Sequence, residues 1–165
     1  MNPAALALIC FLVAQRLAEM VIAQRNTRKL LARGAREYAA GHYPLIVALH
    51  AAWLLCLAVF GYDEQIRPFW LAVFVLLQAL RLWVLLTLGE RWTTRIIVLD
   101  KPLVKRGPFR FLRHPNYTVV VLEIYVAPMV LGLTAVAVIF SLLNAAVLTI
   151  RLRAEERALP PLRRS

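Results

Sequence analysis

Residues 117–150 read YTVVVLEIYVAPMVLGLTAVAVIFSLLNAAVLTI, a long apolar run in which Glu123 is the only charge. One helix crossing about 30 Å of hydrocarbon needs roughly 20 predominantly apolar residues, so a run of this length holds two helices. The first extends from about Tyr117 to Leu131. The second follows Gly132 and continues through Ile150. Pro128 and Gly132 are placed to kink and turn the chain between them. The expectation is a tight helical hairpin, with both spans short enough for a partly interfacial placement.

Outward from this run, three more apolar blocks appear. Asn2 to Ala23 reads NPAALALICFLVAQRLAEMVIA, Tyr43 to Phe60 reads YPLIVALHAAWLLCLAVF, and a third block covers Pro68 to Leu88. The chain is 61% hydrophobic over 165 residues, with a mean hydropathy of +0.67. That exceeds the usual composition of a soluble domain. The apolar residues come in blocks, without the period-2 alternation of a barrel. Backbone groups in lipid must then be paired within each segment, which requires helices. The reading is an all-α polytopic membrane protein of five transmembrane helices, one domain over residues 1–165.

Basic residues fix an expected orientation. Of the 20 Lys and Arg, Arg25, Arg28, Lys29, Arg33 and Arg36 separate spans one and two. Seven more lie between spans three and four, and five lie in the tail after Ile150. The opposite loops carry Arg67 alone, beside Asp63 and Glu64. Under the positive-inside rule the basic segments are cytoplasmic, so the N-terminus lies outside and the C-terminus inside. The net charge of +11 then reflects attraction to anionic headgroups of membrane lipids. No nucleic-acid motif accompanies it. The first charge is Arg16, so the leading apolar run lacks the basic start of a cleaved signal peptide. Cys10 and Cys56 lack Cys or His partners at ligand spacing, so neither a metal centre nor a disulfide is expected.

The chemistry gathers at the ends of the last two spans. Residues 113–117 read RHPNY, and RLRAEERAL follows Ile150. Pro115 biases His114 to an extended conformation and can itself be the first helical residue of span four. The free N–H groups at that helix start, with Arg113 and His114, suit an anionic group. Asn144, Arg151 and Glu155 are spaced seven and four apart, one stripe down a helix. An Asn facing lipid is costly, so the stripe is expected to point into the bundle. A snorkelling helix end accounts for Arg157, Arg163 and Arg164. Inside the spans, Arg16 and Glu19 are one turn apart and able to pair, and an Arg81–Glu123 pair between spans is open.

GPFRFLRHPNY followed, after the apolar hairpin, by RLRAEERAL resembles the isoprenylcysteine carboxyl methyltransferase family, whose signature is Arg-His-Pro-x-Tyr with a distal Glu-Glu. The likeness covers about residues 107–159. QRLAE, HYPLIVALHAAW and RWTTRIIVLDKPLVKRGPFRF extend it towards bacterial members similar to the alkylpyrone and alkylresorcinol O-methyltransferases. Val119 stands where the family often has Gly.

The resemblance implies S-adenosylmethionine as methyl donor. Arg113, His114, Pro115 and Tyr117 would shape its pocket, and Glu155 and Glu156 would hold ribose hydroxyls or the ammonium. Arg151 would steer an anionic acceptor oxygen. An acceptor carboxylate or acidic enol needs no strong base, whereas a phenol, with a pKa near about 10, would need help from Glu123 or His114. The acceptor is then a lipophilic small molecule entering from the bilayer. A phospholipid N-methyltransferase shares the donor site, and a non-catalytic scaffold or small transporter explains only the spans and basic loops.

Overall fold

The computed structural model describes residues 1–38, 41, 43–98, 106–112 and 114–158, with side chains up to residue 153. Its elements in chain order are α1 (Pro3–Ala32), β1 (Arg36–Tyr38), α2 (Tyr43–Gly61), α3 (Pro68–Leu88), β2 (Ile96–Val98), α4 (Pro115–Val130) and α5 (Thr134–Ala158). Four helices, α1, α2, α3 and α5, are long and apolar enough to cross a membrane, while α4 is a shorter apolar helix.

Local chemistry explains most boundaries. Asn2 caps α1 through its side-chain oxygen, which accepts from Ala4 N at 3.0 Å, and Pro3 follows at the first helical position. At 30 residues α1 is about 45 Å long and outlasts the hydrocarbon. The sequence reading ended this span at Ala23. The helix continues because nothing between Gln24 and Ala32 breaks it. It stops at Gly34, whose φ is +86°, with Ala35 N donating to Leu30 O and Gly34 N to Leu31 O. This pairing satisfies the last carbonyls of the helix. α3 matches its expected span, Pro68 opening it and Gly89 capping it.

The same device ends α4. Leu133 N donates to Pro128 O at 2.9 Å and Gly132 N to Met129 O at 3.1 Å, with Gly132 at φ +74°. α5 begins two residues later and packs on α4. α4 also packs on α3, and α2 on α1 and α5. α4 is thus the central helix, with Glu123, Ile124, Ala127 and Val130 all fully buried. Trp53 and Leu57 of α2, Leu12 of α1 and Leu77 of α3 complete the core around it.

The all-α expectation needs one addition. β1 and β2 pair antiparallel, in the register Arg36↔Val98, Glu37↔Ile97 and Tyr38↔Ile96. The branched side chains of Ile96, Ile97 and Val98 favour the extended backbone, and the pairing ties the end of α1 to the segment after α3.

Candidate functional site at the start of helix α4

Two polar clusters occupy the bundle. The first lies where α4 begins and α5 ends. His114 precedes Pro115 as the cap residue of α4, and its ring stacks on that of Tyr117, with centroids 5.6 Å apart. Arg151 comes from α5, only 9% exposed. Its Nε donates to the Tyr117 hydroxyl at 2.9 Å and its Nη1 to the Thr94 carbonyl at 2.7 Å. The guanidinium lies 5.3 Å from the centre of the Tyr117 ring, close enough for a cation–π attraction. Arg151 is therefore held in one orientation by three contacts from two other segments.

A second layer supports this arrangement. The Trp92 indole N–H donates to Asn116 Oδ1 at 3.1 Å. Asn26, buried on α1, donates to the carbonyls of Trp92 at 2.8 Å and Gly89 at 3.1 Å. Thr94 Oγ1 donates to the Tyr43 hydroxyl at 3.3 Å. Arg95 lies over the Tyr43 ring at 4.8 Å and pairs with Glu37 of β1 at 2.9 Å. These bonds join the C-terminal part of α1, the segment after α3, the start of α2 and the start of α4.

The sequence-predicted residues fall into groups. His114, Pro115, Tyr117 and Arg151 come together here. Asn144 is 5% exposed, so it and Arg151 share the inward face of α5 as the stripe predicts. Its Nδ2 is buried without a hydrogen-bond partner among the described residues. Glu155 and Glu156 belong to the last turn of α5, with side chains outside the described residues, and Arg113 lies outside them altogether. Thr94, Trp92, Asn116 and Tyr43 were not singled out from the sequence. Thr94 acts through its backbone carbonyl, which leaves no trace in residue type, and Asn116 occupies the variable position of the motif.

Glu123 lies elsewhere. It is six residues beyond Tyr117, about 9 Å further along the helix axis, and belongs to the second cluster. There Arg16 and Arg81 each bond both Glu19 and Glu123, closing a ring of alternating charge between α1, α3 and α4. Arg16 reaches Glu19 at 2.9 Å and Arg81 reaches it at 2.7 Å. Gln78 Nε2 donates to Glu123 Oε1 at 2.7 Å, and Gln15 donates to Gln78 at 2.8 Å. Glu123 is 0% exposed and Arg81 4%. Three of the four charges are buried and Arg16 is partly buried, which is tolerable only when they are paired and hydrogen-bonded, as here. Both pairs named from the sequence, Arg16–Glu19 and Arg81–Glu123, are present, and the cross-links between them make the ring.

A profile of the isoprenylcysteine carboxyl methyltransferase family matches residues 70–161, more than half of the chain. The uncharacterized protein YpbQ of Bacillus subtilis is 40% identical over 158 residues, which cover 92% of this chain and 94% of that protein. An uncharacterized protein of Haemophilus influenzae is 28% identical over 113 residues, 64% of this chain and 65% of its own length. No solved structure matches. The matched segment carries the His114–Pro115–Tyr117 helix start and Arg151, so sequence and geometry meet at one place: the chain belongs to the isoprenylcysteine carboxyl methyltransferase family, membrane methyltransferases that generally use S-adenosylmethionine.

Proposed function

We propose that the protein is an O-methyltransferase that moves a methyl group from S-adenosylmethionine to a lipophilic acceptor at the cytoplasmic membrane face. The carrying observation is the fixed, buried guanidinium of Arg151 beside the start of α4. In this reading the chain crosses the membrane five times, α4 and α5 as a helical hairpin. The N-terminus is outside, and Arg113, His114 and the tail are inside.

The donor set suits the cofactor. The stacked His114 and Tyr117 rings offer an aromatic face for a purine. Arg113, His114 and the backbone N–H groups after Pro115 suit its carboxylate. Glu155 and Glu156, one turn beyond Arg151 on α5, suit ribose hydroxyls or the ammonium. The buried Nδ2 of Asn144, without a hydrogen-bond partner among the described residues, is a further donor on the same helix face. When bound, the cofactor supplies an electrophilic methyl on a sulfonium, open to in-line displacement.

The chain's own contribution is alignment and exclusion of water. Arg151 has two of its nitrogens engaged by Tyr117 and Thr94. Its positive charge steers an anionic acceptor oxygen towards the helix start without side-chain rearrangement. A carboxylate or acidic enol arrives already deprotonated. For a phenol, His114 is the better-placed proton acceptor, because Arg16, Arg81 and Gln78 already engage both oxygens of Glu123.

The test is a labelled methyl-transfer assay on purified protein with alkylpyrones, alkylresorcinols, prenylcysteine analogues and phosphatidylethanolamine. The reading expects an O-methylated product that Arg151→Ala abolishes. Methylation of phosphatidylethanolamine that survives Arg151→Ala would assign N-methyl transfer instead. Well-folded protein that does not bind S-adenosylmethionine would overturn the enzyme reading.

A further inference from the structure

At the end of the bundle remote from Arg151, α1 and α3 face each other with two apolar stripes. Ala4, Leu8 and Phe11 recur at helical spacing on α1, and Leu71 and Phe74 on α3, whose stripe ends at the polar Gln78. Stripes of this spacing normally interdigitate. Here they stay apart around an open groove of about 440 Å³, within the size range of ligand pockets.

The charge ring explains the gap. α1 and α3 meet through long polar side chains, Gln15 to Gln78 at 2.8 Å and Arg81 to Glu19 at 2.7 Å. The only ring contact between these two helices, among the described residues, is Phe11 edge-on to Phe74 at 6.2 Å between centroids. Arginine, glutamine and glutamate reach further than leucine, so the helices cannot close on the apolar turns above. From Leu71 to Gln78 the groove runs about 10 Å along α3, most of one leaflet's half of the hydrocarbon.

We infer that this groove holds one hydrocarbon chain of a bilayer lipid, its headgroup at the end of the bundle where α1 and α3 begin. Three observations select that occupant. The helices that form the groove are those apolar enough to cross a membrane, so the medium at its mouth is lipid. Its walls are apolar, and an apolar cavity stays dry and takes apolar guests. Its one polar wall, Gln78, is already turned to the charge ring, donating to Glu123 and accepting from Gln15. The methyl acceptor is the wrong occupant. From Phe11 to Asn26, beside the candidate site, is about 22 Å along α1, and the charge ring lies between. The inference goes beyond the proposed activity and rests only on membrane insertion.

The full chain, reconstituted in phosphatidylethanolamine and phosphatidylglycerol vesicles containing a phosphatidylcholine with a diazirine on one acyl chain, is irradiated and mapped by mass spectrometry. Label is expected several-fold higher at residues 4–11 and 66–78 than at the exposed α2 and α5 positions Leu55 and Leu142. Val75→Trp and, separately, Ala4→Trp fill the groove and should remove that excess while Leu55 and Leu142 keep theirs. Even labelling of all these positions, or excess label that survives both substitutions, overturns the inference. So does displacement of the label by excess alkylresorcinol, which would give the groove to the acceptor. Binding of S-adenosylmethionine is measured on the same vesicles. Its failure would remove the methyltransferase reading and leave the groove result standing.

Discussion

Arg81 on α3 holds Glu19 on α1 at 2.7 Å and spends its other terminal nitrogen on Glu123 of α4. One side chain thus ties three helices, and Arg16 bonds the same two carboxylates from α1, tying that helix to α4.

Removing one member of the ring strands the others. Arg81→Met leaves two buried carboxylates sharing Arg16, and should destabilise the protein by about 3–5 kcal/mol. Replacing Arg81 and Glu123 together keeps the charges balanced, so the double variant should be more stable than Arg81→Met alone. Thermal unfolding in detergent checks both. Glu90→Gln removes pairs with Lys29 and Arg33 that are largely solvated, and the melting temperature should hardly move.

Arg151 should tolerate no substitute. Lysine keeps the charge but cannot serve Tyr117 and Thr94 as a fork does. Arg151→Lys should therefore lower the turnover of an anionic acceptor by about 10²-fold. Tyr117→Phe removes one hydrogen bond and keeps the ring, so its loss should be nearer about tenfold. Steady-state rates at saturating S-adenosylmethionine separate the two.

Cofactor binding should follow the signature. His114→Ala removes the stacked ring at the start of α4, and Glu156→Ala removes one of the carboxylates assigned to the cofactor. Each should weaken S-adenosylmethionine binding by about tenfold or more, the scale of one hydrogen bond to a charged group. Calorimetric titration reads the change, and an unaltered affinity in both variants would remove these residues from the site.

Two glycines share a backbone conformation and differ in their surroundings. Gly34 and Gly132 both have positive φ. A Cβ on Gly34 meets open space, whereas one on Gly132 comes within 2.6 Å of the Arg67 guanidinium. Gly34→Ala should cost about 1–2 kcal/mol from its backbone alone. Gly132→Ala should cost more, and Arg67→Ala should restore part of the difference. Melting temperatures of the single and double variants test this.

What the sequence reveals depends on whether the cause is local. Pro68 and Gly89 bracket α3, and the helix lies where they put it. α1 outruns its apolar block because hydropathy falls at Arg25, while nothing ends the helix until Gly34. The strand pair escaped notice because Glu37 and Ile97 meet across sixty residues with only three on each side. Arg16 and Glu19 could be paired from their spacing. The links from Arg16 to Glu123 and from Arg81 to Glu19 depend on how three helices pack. For Arg151, its inward direction followed from Asn144, but its grip on the Thr94 carbonyl could not follow from any residue type.

The unbroken length of α1 has a mechanical consequence. Pro3 and Asn26 belong to one stiff lever and lie about 35 Å apart, so tilting it by about 5° around Pro3 swings Asn26 by about 3 Å. Thinner or thicker bilayers change the tilt of spanning helices. Such a swing would arrive at Asn26, whose amide steadies the carbonyl of Trp92 and, through that indole, Asn116. Lipid thickness would thereby bear on how the start of α4 is held.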